Sequence, residues 1–469
     1  MSYYRLTPNA ILCGFRGLPF GVYDEIRQQT YFFNREEYAF ILRLTGTELT
    51  DGAALTVKEK ELLDSLKEKK LAESKDAPAP LERRQEYTKY ENIYKLTAQW
   101  SVTGRCNYRC RHCFMSCPEY KESDLSFEQC REIIRQLAEC GVRSVSLTGG
   151  EPLIRPDILD IIRECRDHGI RVSSILTNGA LVSEKLLDSL LELGVHPSFQ
   201  MSFDGVGWHD WIRGIDGAEE KVLSAFRLLK EYGVPVTSAM CLHKNNKDTI
   251  RESVKLLAEV GCSSLKINVA NPSGLWENQP EHFLTPEEGY QAYLDYIPQY
   301  LEDGMPVNLM LEDVFMYDRE EERAFILADR EAEEGARYVC MPLRTGFYIG
   351  PKGEILPCQS FIAKDIAARY PNLFDMPLKK ILSDSNYTAD TLSRLSDLMA
   401  ANGECRNCRW SRVCCGGCRA EAIGNHDTDY HTTNKGMCRF FNDGWFDRFS
   451  EAVGQFNAAV KKNKEEGGA

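Results

Sequence analysis

The sequence predicts an α/β fold in which a parallel sheet lies between a small N-terminal unit and a cysteine-rich C-terminal segment. Between residues 96 and 270, apolar strand-like runs alternate with amphipathic helical patterns. A glycine follows each helical pattern, as the C-terminal cap of a helix requires. Of the 18 cysteines, four lie between residues 106 and 117 and eight lie from Cys340 onward, while the other six are scattered. Strand–helix alternation of this kind predicts parallel strands with helices packed on the outside.

Length and charge exclude several classes of protein. A chain of 469 residues is too long for one compact core, so two or three domains are expected. A net charge of −13 argues against a general partner in nucleic acid or at a membrane surface. No apolar run reaches the ~20 residues that a membrane span needs, and residues 1–5 lack a signal-peptide pattern. We therefore expect a cytoplasmic protein, whose clustered cysteines are metal ligands rather than disulfides.

Residues 1–75 form a separate predicted unit. Three or four short strand-like runs precede two helical patterns, at residues 35–44 and 56–72, and Thr56 with Glu59 forms a capping-box pattern. This order predicts a winged-helix-like domain, but its 11 basic and 11 acidic residues provide no basic face for DNA. An exposed strand edge can instead capture a peptide by strand addition. A structural cap or a dimerisation module is the alternative, and residues 76–95 are predicted to be a linker.

The six predicted strands of the central region are residues 96–103, 144–148, 171–177, 198–203, 234–242 and 264–269. The helical patterns between them are residues 126–140, 156–168, 183–193, 218–232 and 248–260. In folds of this class, ligands bind at the carboxyl ends of the strands. Residues that follow the strands are therefore the first candidates for a functional site.

Three cysteines follow the first predicted strand. Cys106, Cys110 and Cys113 have the spacing C-x3-C-x2-C. Three thiolates so close in sequence can hold a metal centre and leave one coordination position open. A structural zinc ion prefers four protein ligands, so this pattern indicates a reactive centre. The alternative is three ordinary buried thiols.

Polar residues also follow the later strands. Gly149, Gly150 and Glu151 come after the second strand, where glycines allow the backbone to approach a ligand closely. The candidates after the third and fourth strands are Asn178, Ser202, Asp204 and Arg213. Taken singly, Asn178, Asp204 and Arg213 are equally well explained by turn and cap chemistry.

Seven further cysteines form an ordered pattern near the C-terminus: Cys340, Cys358, Cys405, Cys408, Cys414, Cys418 and Cys438. The C-x2-C-x5-C-x3-C run inside it is typical of metal ligands, and one or two zinc sites are the alternative to iron–sulfur clusters. Residues 271–339 are predicted to be a bridging segment with acidic helices at 286–301 and 318–336. Residues 446–469 are predicted to be a C-terminal helix and a frayed tail.

Together, these motifs resemble those of the radical S-adenosylmethionine (SAM) superfamily. The C-terminal pattern resembles the SPASM extension of its peptide- and protein-modifying members. The N-terminal unit is similar to the PqqD-like precursor-recognition domain, named after the peptide chaperone of pyrroloquinoline quinone biosynthesis. The resemblance implies a partial (β/α)6 TIM-like barrel at residues 96–270 and an iron–sulfur domain at residues 340–445.

The resemblance also implies three [4Fe-4S] clusters and SAM as cofactors. Cys106, Cys110 and Cys113 would hold the first cluster, with SAM on its fourth iron. A distal auxiliary cluster would use Cys405, Cys408, Cys414 and Cys438. A nearer one would use Cys340, Cys358 and Cys418, and its fourth position would be open or filled by Cys415 or Cys117.

For SAM itself, the resemblance implies contacts along the strand ends. Gly149, Gly150 and Glu151 would bind the ammonium group. Asn178, Ser202 and Asp204 belong to the stretch around the ribose. Arg213 would pair with the carboxylate as a bidentate donor, and His112 stands where the family has an aromatic residue beside the adenine.

The implied activity is that of a maturase that uses a 5′-deoxyadenosyl radical to crosslink a ribosomally made precursor peptide, through a thioether or a carbon–carbon bond. Its partners would be the leader-bearing peptide and an electron donor such as flavodoxin or ferredoxin. Peptide epimerisation is an alternative, and so is formylglycine formation in sulfatases. Enzymes of the latter kind usually carry an Asp where this chain has Gln359, which cannot take a proton. A winged-helix regulator with an iron–sulfur sensor is the non-enzymatic alternative, and no catalytic base is identified.

Overall fold

The computed structural model describes residues 2–117, 123–312, 314–326 and 337–467. The chain forms two compact units. The first comprises Met1–Lys95 with two short returns of the chain, Glu139–Gly141 and Leu378–Ser383, and the second comprises the remainder. Within the described ranges, we find no helix that combines the length and the apolar character needed to cross a membrane.

The first unit contains seven strands and two longer helices. The strands are β1 (Ser2–Leu6), β2 (Ala10–Phe15), β3 (Leu18–Asp24), β4 (Gln29–Phe32), β5 (Thr45–Thr50), β6 (Ala72–Lys75) and β7 (Thr88–Lys89). The helices are α1 (Arg35–Ile41) and α2 (Val57–Glu68). The predicted capping box of α2 is confirmed, since the Thr56 side chain accepts the Glu59 N–H.

Two small sheets make up this unit, with strand orders β5-β1-β6 and β4-β3-β2-β7. β1 pairs antiparallel with both β5 and β6, neither of which was predicted. Residues 76–95, the predicted linker, include β7, which pairs with β2. The buried Gln85 amide also donates to the carbonyls of Thr7 (2.8 Å) and Ala10 (3.0 Å). This segment is therefore ordered against the unit, because its polar groups are satisfied by it.

The second unit holds the larger sheet. Its strands are β8 (Thr97–Ser101), β9 (Ser144–Thr148), β10 (Arg171–Thr177), β11 (Ser198–Ser202), β12 (Val236–Leu242), β13 (Ser264–Val269), β14 (Asn308–Leu311), β15 (Phe315–Asp318), β16 (Arg323–Phe325), β17 (Gly346–Ile349) and β18 (Ile355–Leu356). The helices among these strands are α3 (Phe127–Glu139), α4 (Ile158–Asp167), α5 (Glu184–Glu192), α6 (His209–Arg213), α7 (Ala218–Glu231), α8 (Ile250–Glu259) and α9 (Pro286–Glu302).

The C-terminal helices are short, except for the last. They are α10 (Leu378–Ile381, in the first unit), α11 (Asn386–Thr391), α12 (Leu395–Ala401), α13 (Gly403–Asn407), α14 (Ser411–Cys414), α15 (Arg419–Ile423), α16 (Lys435–Asn442) and α17 (Trp445–Gly467). The predicted C-terminal helix corresponds to α17, which continues to Gly467.

The large sheet has eleven strands in the order β16-β15-β14-β13-β12-β11-β10-β9-β8-β17-β18. Strands β8 to β14 are parallel to one another, and β17 pairs in parallel with the other side of β8. The predicted α/β class is confirmed, and the run of parallel strands is longer than the six that were predicted. All eight parallel strands therefore place their carboxyl ends at one edge of the sheet.

The predicted helix at residues 318–336 is wrong over its described part. β15 and β16 form an antiparallel hairpin there, and residues 327–336 lie outside the described ranges. The hairpin is favoured because Tyr317 and Ala324 are buried. The Asn457 side chain of α17 also bonds both the N–H (2.7 Å) and the C=O (2.8 Å) of Ala324. Such tertiary contacts override a local charge pattern that favours helix.

Candidate functional site

The three-cysteine loop follows β8 and is held by α6. The N–H groups of Arg109 and Arg111 donate to the carbonyls of Arg213 (3.2 Å) and Ile212 (2.8 Å). Gly214, at φ +64°, ends α6 where a side chain would strike the Arg109 carbonyl. The backbone of α6 thus orients the loop that carries the predicted ligands.

Within the loop, the three thiols Cys106, Cys110 and Cys113 interact electrostatically with one another. The Cys106 sulfur accepts the Tyr108 N–H at 3.3 Å. The Cys113 sulfur accepts the Cys117 N–H, also at 3.3 Å, and a hydrogen bond from the Cys117 thiol lowers the pKa of Cys113. Burial raises the pKa of Cys106 to about 12. The structure therefore brings the three predicted ligands together.

Gly149 and Gly150 lie directly against the start of this loop. The N–H of Gly150 donates to Thr103 and that of Glu151 donates to Arg105, both at 2.9 Å. Gly149 has φ +143°, and a Cβ at either glycine would collide with the Thr103 or Arg105 carbonyl. Only residues without a side chain allow this approach.

Glu151 is fully buried, and its carboxylate accepts hydrogen bonds from residues at two neighbouring strand ends. One oxygen accepts the Thr177 hydroxyl (2.8 Å) and the Leu153 N–H (3.0 Å), and the other accepts the Asn178 N–H (2.7 Å). Burial raises the pKa of Glu151 to about 7, although these hydrogen bonds oppose the rise. The carboxylate thus fixes the turn after β10, and the Asn178 amide in turn donates to the Asn107 side chain at 2.8 Å.

Asp204 and Arg213 form a buried ion pair beside the loop. The Arg213 Nε–H donates to one Asp204 oxygen at 2.6 Å, and Nη2 forms an ion pair with the same oxygen at 2.6 Å. The other Asp204 oxygen accepts the Cys241 N–H at 2.9 Å. Burial raises the pKa of Asp204, but the Arg213 charge and the hydrogen bonds outweigh it and hold the pKa well below its usual range. Arg213 also donates to the Cys110 sulfur at 3.7 Å. It therefore links the carboxylate to the three-cysteine loop.

Ser202 ends β11 two residues before Asp204 and is partly exposed. His112 lies edge-on to Trp276 at 6.4 Å, and burial lowers its pKa to about 3. His112, which stands where the family has an aromatic residue, is therefore itself in contact with an aromatic ring.

The sequence analysis missed an aromatic cluster around His112. Trp211 lies 4.6 Å from His282 and 5.4 Å from His243, and His243 lies 5.8 Å from Trp276 between ring centroids. His243 follows β12 and Trp276 comes after β13, so both stand beyond strand ends. Their position after a strand could have identified both residues as site candidates, although neither belongs to a motif.

Two further groups of cysteines lie in the C-terminal part of the second unit. The Cys358 thiol interacts with Cys418 and Cys340, and burial raises its pKa to about 12. Cys405 interacts with Cys438 and Cys408, and Cys414 interacts with Cys438 and Cys405. The structure thus assembles a three-cysteine group, Cys340, Cys358 and Cys418, and a four-cysteine group, Cys405, Cys408, Cys414 and Cys438.

The two candidates for the fourth ligand of the three-cysteine group have other neighbours. Cys117 interacts with Cys113, Cys106 and Cys110. Cys415, at φ +48°, donates its thiol to the Arg412 carbonyl at 3.3 Å.

Three side chains of different types form a possible metal-binding group to which we assign no metal ion. Atoms of His112, Asp204 and Cys241 lie within 4.8 Å of one another. Both Asp204 oxygens are already bonded to Arg213 and to backbone, so we assign no metal ion to them.

Comparison with known families decides the classification. Residues 100–257 match the radical SAM superfamily, and residues 340–409 match SPASM, an iron-sulfur cluster-binding domain. The chain is a member of the radical SAM superfamily. It is an enzyme of that superfamily with a SPASM domain.

Relatives of this radical SAM enzyme include proteins of two activities. An AdoMet-dependent heme synthase of Methanosarcina barkeri is 26% identical over 341 residues, covering 71% of this chain and 93% of the relative. A PqqA peptide cyclase of Gluconobacter oxydans is 27% identical over 331 residues, covering 69% and 85%. The fold resembles that of Streptococcus suis SuiB bound to its precursor peptide SuiA, with a TM-score of 0.64, 17% identity and coverage of 94% and 100%.

The residues of this radical SAM enzyme suit the cofactors of its superfamily. Neighbouring buried thiols with raised pKa values gain stability from a cation that binds them as thiolates. His112 leaves Nδ1, and His243 leaves Nε2, buried with no hydrogen-bond partner in the described part of the chain. These two ring nitrogens can therefore bond a polar ligand. The three-cysteine loop fits a [4Fe-4S] cluster with an open iron, and the strand ends fit SAM.

Proposed function

We propose that this radical SAM enzyme is a maturase that installs an intramolecular crosslink in a ribosomally synthesised precursor peptide. The crosslink is a thioether or a carbon–carbon bond. One observation carries the proposal: the Cys106–Cys113 loop, Glu151 and the Asp204–Arg213 pair lie together at one edge of the sheet. The similarity to a PqqA peptide cyclase supports a peptide as the substrate.

The proposal assigns each group of residues a role. Cys106, Cys110 and Cys113 would hold the first of three [4Fe-4S] clusters, and the two C-terminal cysteine groups would hold the other two. When bound, cluster and SAM supply reductive SAM cleavage and hydrogen-atom abstraction from substrate. The electron donor would be a flavodoxin or ferredoxin of the cytoplasm.

This chain's own residues position SAM and exclude water. Glu151 holds the turns after β9 and β10 in place, so that the backbone around Gly149 and Gly150 faces the SAM ammonium group. Arg213 lies between Cys110 and Asp204, where its guanidinium is available to the SAM carboxylate. Trp276 lies edge-on to His112 and would shield the adenine side from solvent, as a reactive intermediate requires.

The polar face of the sheet also supports a peptide substrate. One face of the parallel strands carries buried apolar residues such as Leu147, Leu265 and Ile267. The other face carries polar residues that are only partly buried, among them Gln200. Polar side chains at these positions suit a substrate rich in N–H and C=O groups, as an extended peptide is.

The first unit is proposed to bind the leader of that peptide. Its sheets have open edges, and such edges capture extended segments by main-chain hydrogen bonding. Leader binding would raise the effective concentration of the core peptide at the sheet edge.

Formylglycine formation is less well supported. Gln359 follows Cys358, and its side-chain oxygen accepts a hydrogen bond from the Gln99 amide at 3.1 Å. An amide in this position cannot serve as a base. The heme synthase relatives favour a second candidate, the modification of a haem precursor.

The test uses reduced, cluster-loaded protein, SAM and the short peptide encoded beside its gene. We expect the peptide to lose two hydrogens in mass, with 5′-deoxyadenosine formed alongside. An iron-porphyrin carboxylate and a sulfatase peptide serve as comparison substrates. Turnover of either of these with an unchanged peptide mass would contradict the proposal, and unchanged mass with deuterium gained from solvent would indicate epimerisation.

A further inference from the structure

Arg419, the first residue of α15, is a buried cation bonded only to carbonyls. Its side chain is 1% exposed. The guanidinium donates to the carbonyls of Thr432 (2.8 Å), Tyr430 (3.2 Å) and Gly416. Within the described ranges it makes no ion pair with a carboxylate, and its Nε has no acceptor. A buried charge without a counterion is unfavourable, so negative charge is expected nearby.

The two C-terminal cysteine groups are candidates for the negative charge near Arg419. Arg419 directly follows Cys418 of the three-cysteine group. It interacts with Cys405 of the four-cysteine group, where it opposes the rise in pKa that burial causes. It also interacts with the phenol of Tyr430, which itself neighbours Cys340. Arg419 thus adjoins the three-cysteine group in sequence and interacts electrostatically with the four-cysteine group.

We propose that Arg419 is the shared counterion of the two C-terminal cysteine groups and raises the reduction potential of the iron–sulfur clusters they hold. The inference rests on the proposed function only in that both groups hold clusters. Reduction adds one negative charge to a cluster, and a fixed cation in a poorly solvated site stabilises the reduced state more than the oxidised one. Arg419 is a positioning residue, because it acts through the charge beside the clusters.

Arginine suits this role better than lysine. Its planar fork bonds three carbonyls on two segments, and its charge persists under burial. The free Nε–H remains as a donor for a sulfur atom. Arg419 therefore combines charge with attachment of residues 430–432 to α15.

The matched control is Arg406, one residue after Cys405. It also bonds only carbonyls, those of Met399 (2.8 Å) and Ala400 (2.6 Å), but it is exposed. Solvent screens its charge, so the loss of that charge should matter little. Comparing the two arginines isolates the effect of burial.

The experiment is a redox titration of the full chain monitored by electron paramagnetic resonance. Cys106, Cys110 and Cys113 are replaced by alanine, so that only the C-terminal clusters are observed. We expect Arg419→Met to reduce the equilibrium constant for cluster reduction about tenfold, a shift of about 59 mV for a one-electron couple. Arg406→Met should leave the potential unchanged. Equal potentials for the Arg419→Met and Arg406→Met proteins would overturn the inference.

A second variant covers the case in which Arg419→Met loses iron. Arg419→Lys keeps the charge, and we expect it to retain more iron and a potential closer to that of the parent protein. Equal iron loss in both Arg419 variants would overturn a role for charge. A parent protein that binds zinc in place of iron would contradict the proposed function itself, so metal analysis separates the two failures.

Discussion

Replacing Cys106, Cys110 and Cys113 together with alanine is expected to abolish SAM cleavage by the reduced protein. The three thiols lie on one loop and interact with one another, so their loss removes a whole metal centre. We expect about four fewer iron atoms per chain. Formation of 5′-deoxyadenosine should fall by more than about 10³-fold, because only background reaction remains.

The control for this variant is Cys165→Ala, which removes a fully buried thiol of α4 outside the three cysteine groups. It should keep its iron and its SAM cleavage. Iron analysis and chromatography of the products provide both measurements. A triple variant with the iron content of the parent protein would show that these cysteines hold no cluster.

The second large effect is expected at the Asp204–Arg213 pair. Arg213→Met leaves the Asp204 carboxylate buried without its counterion. Removing one partner of a buried pair costs about 3–5 kcal/mol of unfolding free energy. SAM binding, measured by equilibrium dialysis with cluster-loaded protein, should be lost as well.

A double variant separates stability from binding. Asp204→Asn combined with Arg213→Met removes both charges, so much of the unfolding free energy should return while SAM binding does not. Arg251→Met serves as the control, since Arg251 pairs with Asp303 at the surface. If the double variant recovered SAM binding, Arg213 would have a structural role alone.

The sequence predicted the strand ends well because local patterns determine them. β9, β10 and β13 have the bounds that alternation and turn glycines indicated. Gly149 and Gly150 were predicted to let the backbone approach a ligand closely, and in the structure the Thr103 and Arg105 carbonyls lie where their side chains would otherwise be. These features depend on residues close in sequence.

Features that depend on distant partners were not predictable. Arg213 was assigned to a SAM carboxylate, and its bond to Asp204 became apparent only in the folded chain. The hairpin of β15 and β16 lies in a charged stretch, and its stability comes from α17, more than 100 residues later. The Trp211 and Trp276 cluster is likewise assembled from separate strand ends.

The most direct test of the account is the fate of SAM in the wild-type protein. Anaerobic protein with reconstituted clusters is reduced with dithionite and mixed with SAM, and the products are separated by chromatography. The account predicts methionine and 5′-deoxyadenosine in equal amounts. SAM left intact, or converted only to S-adenosylhomocysteine, by protein that carries its full iron would contradict it.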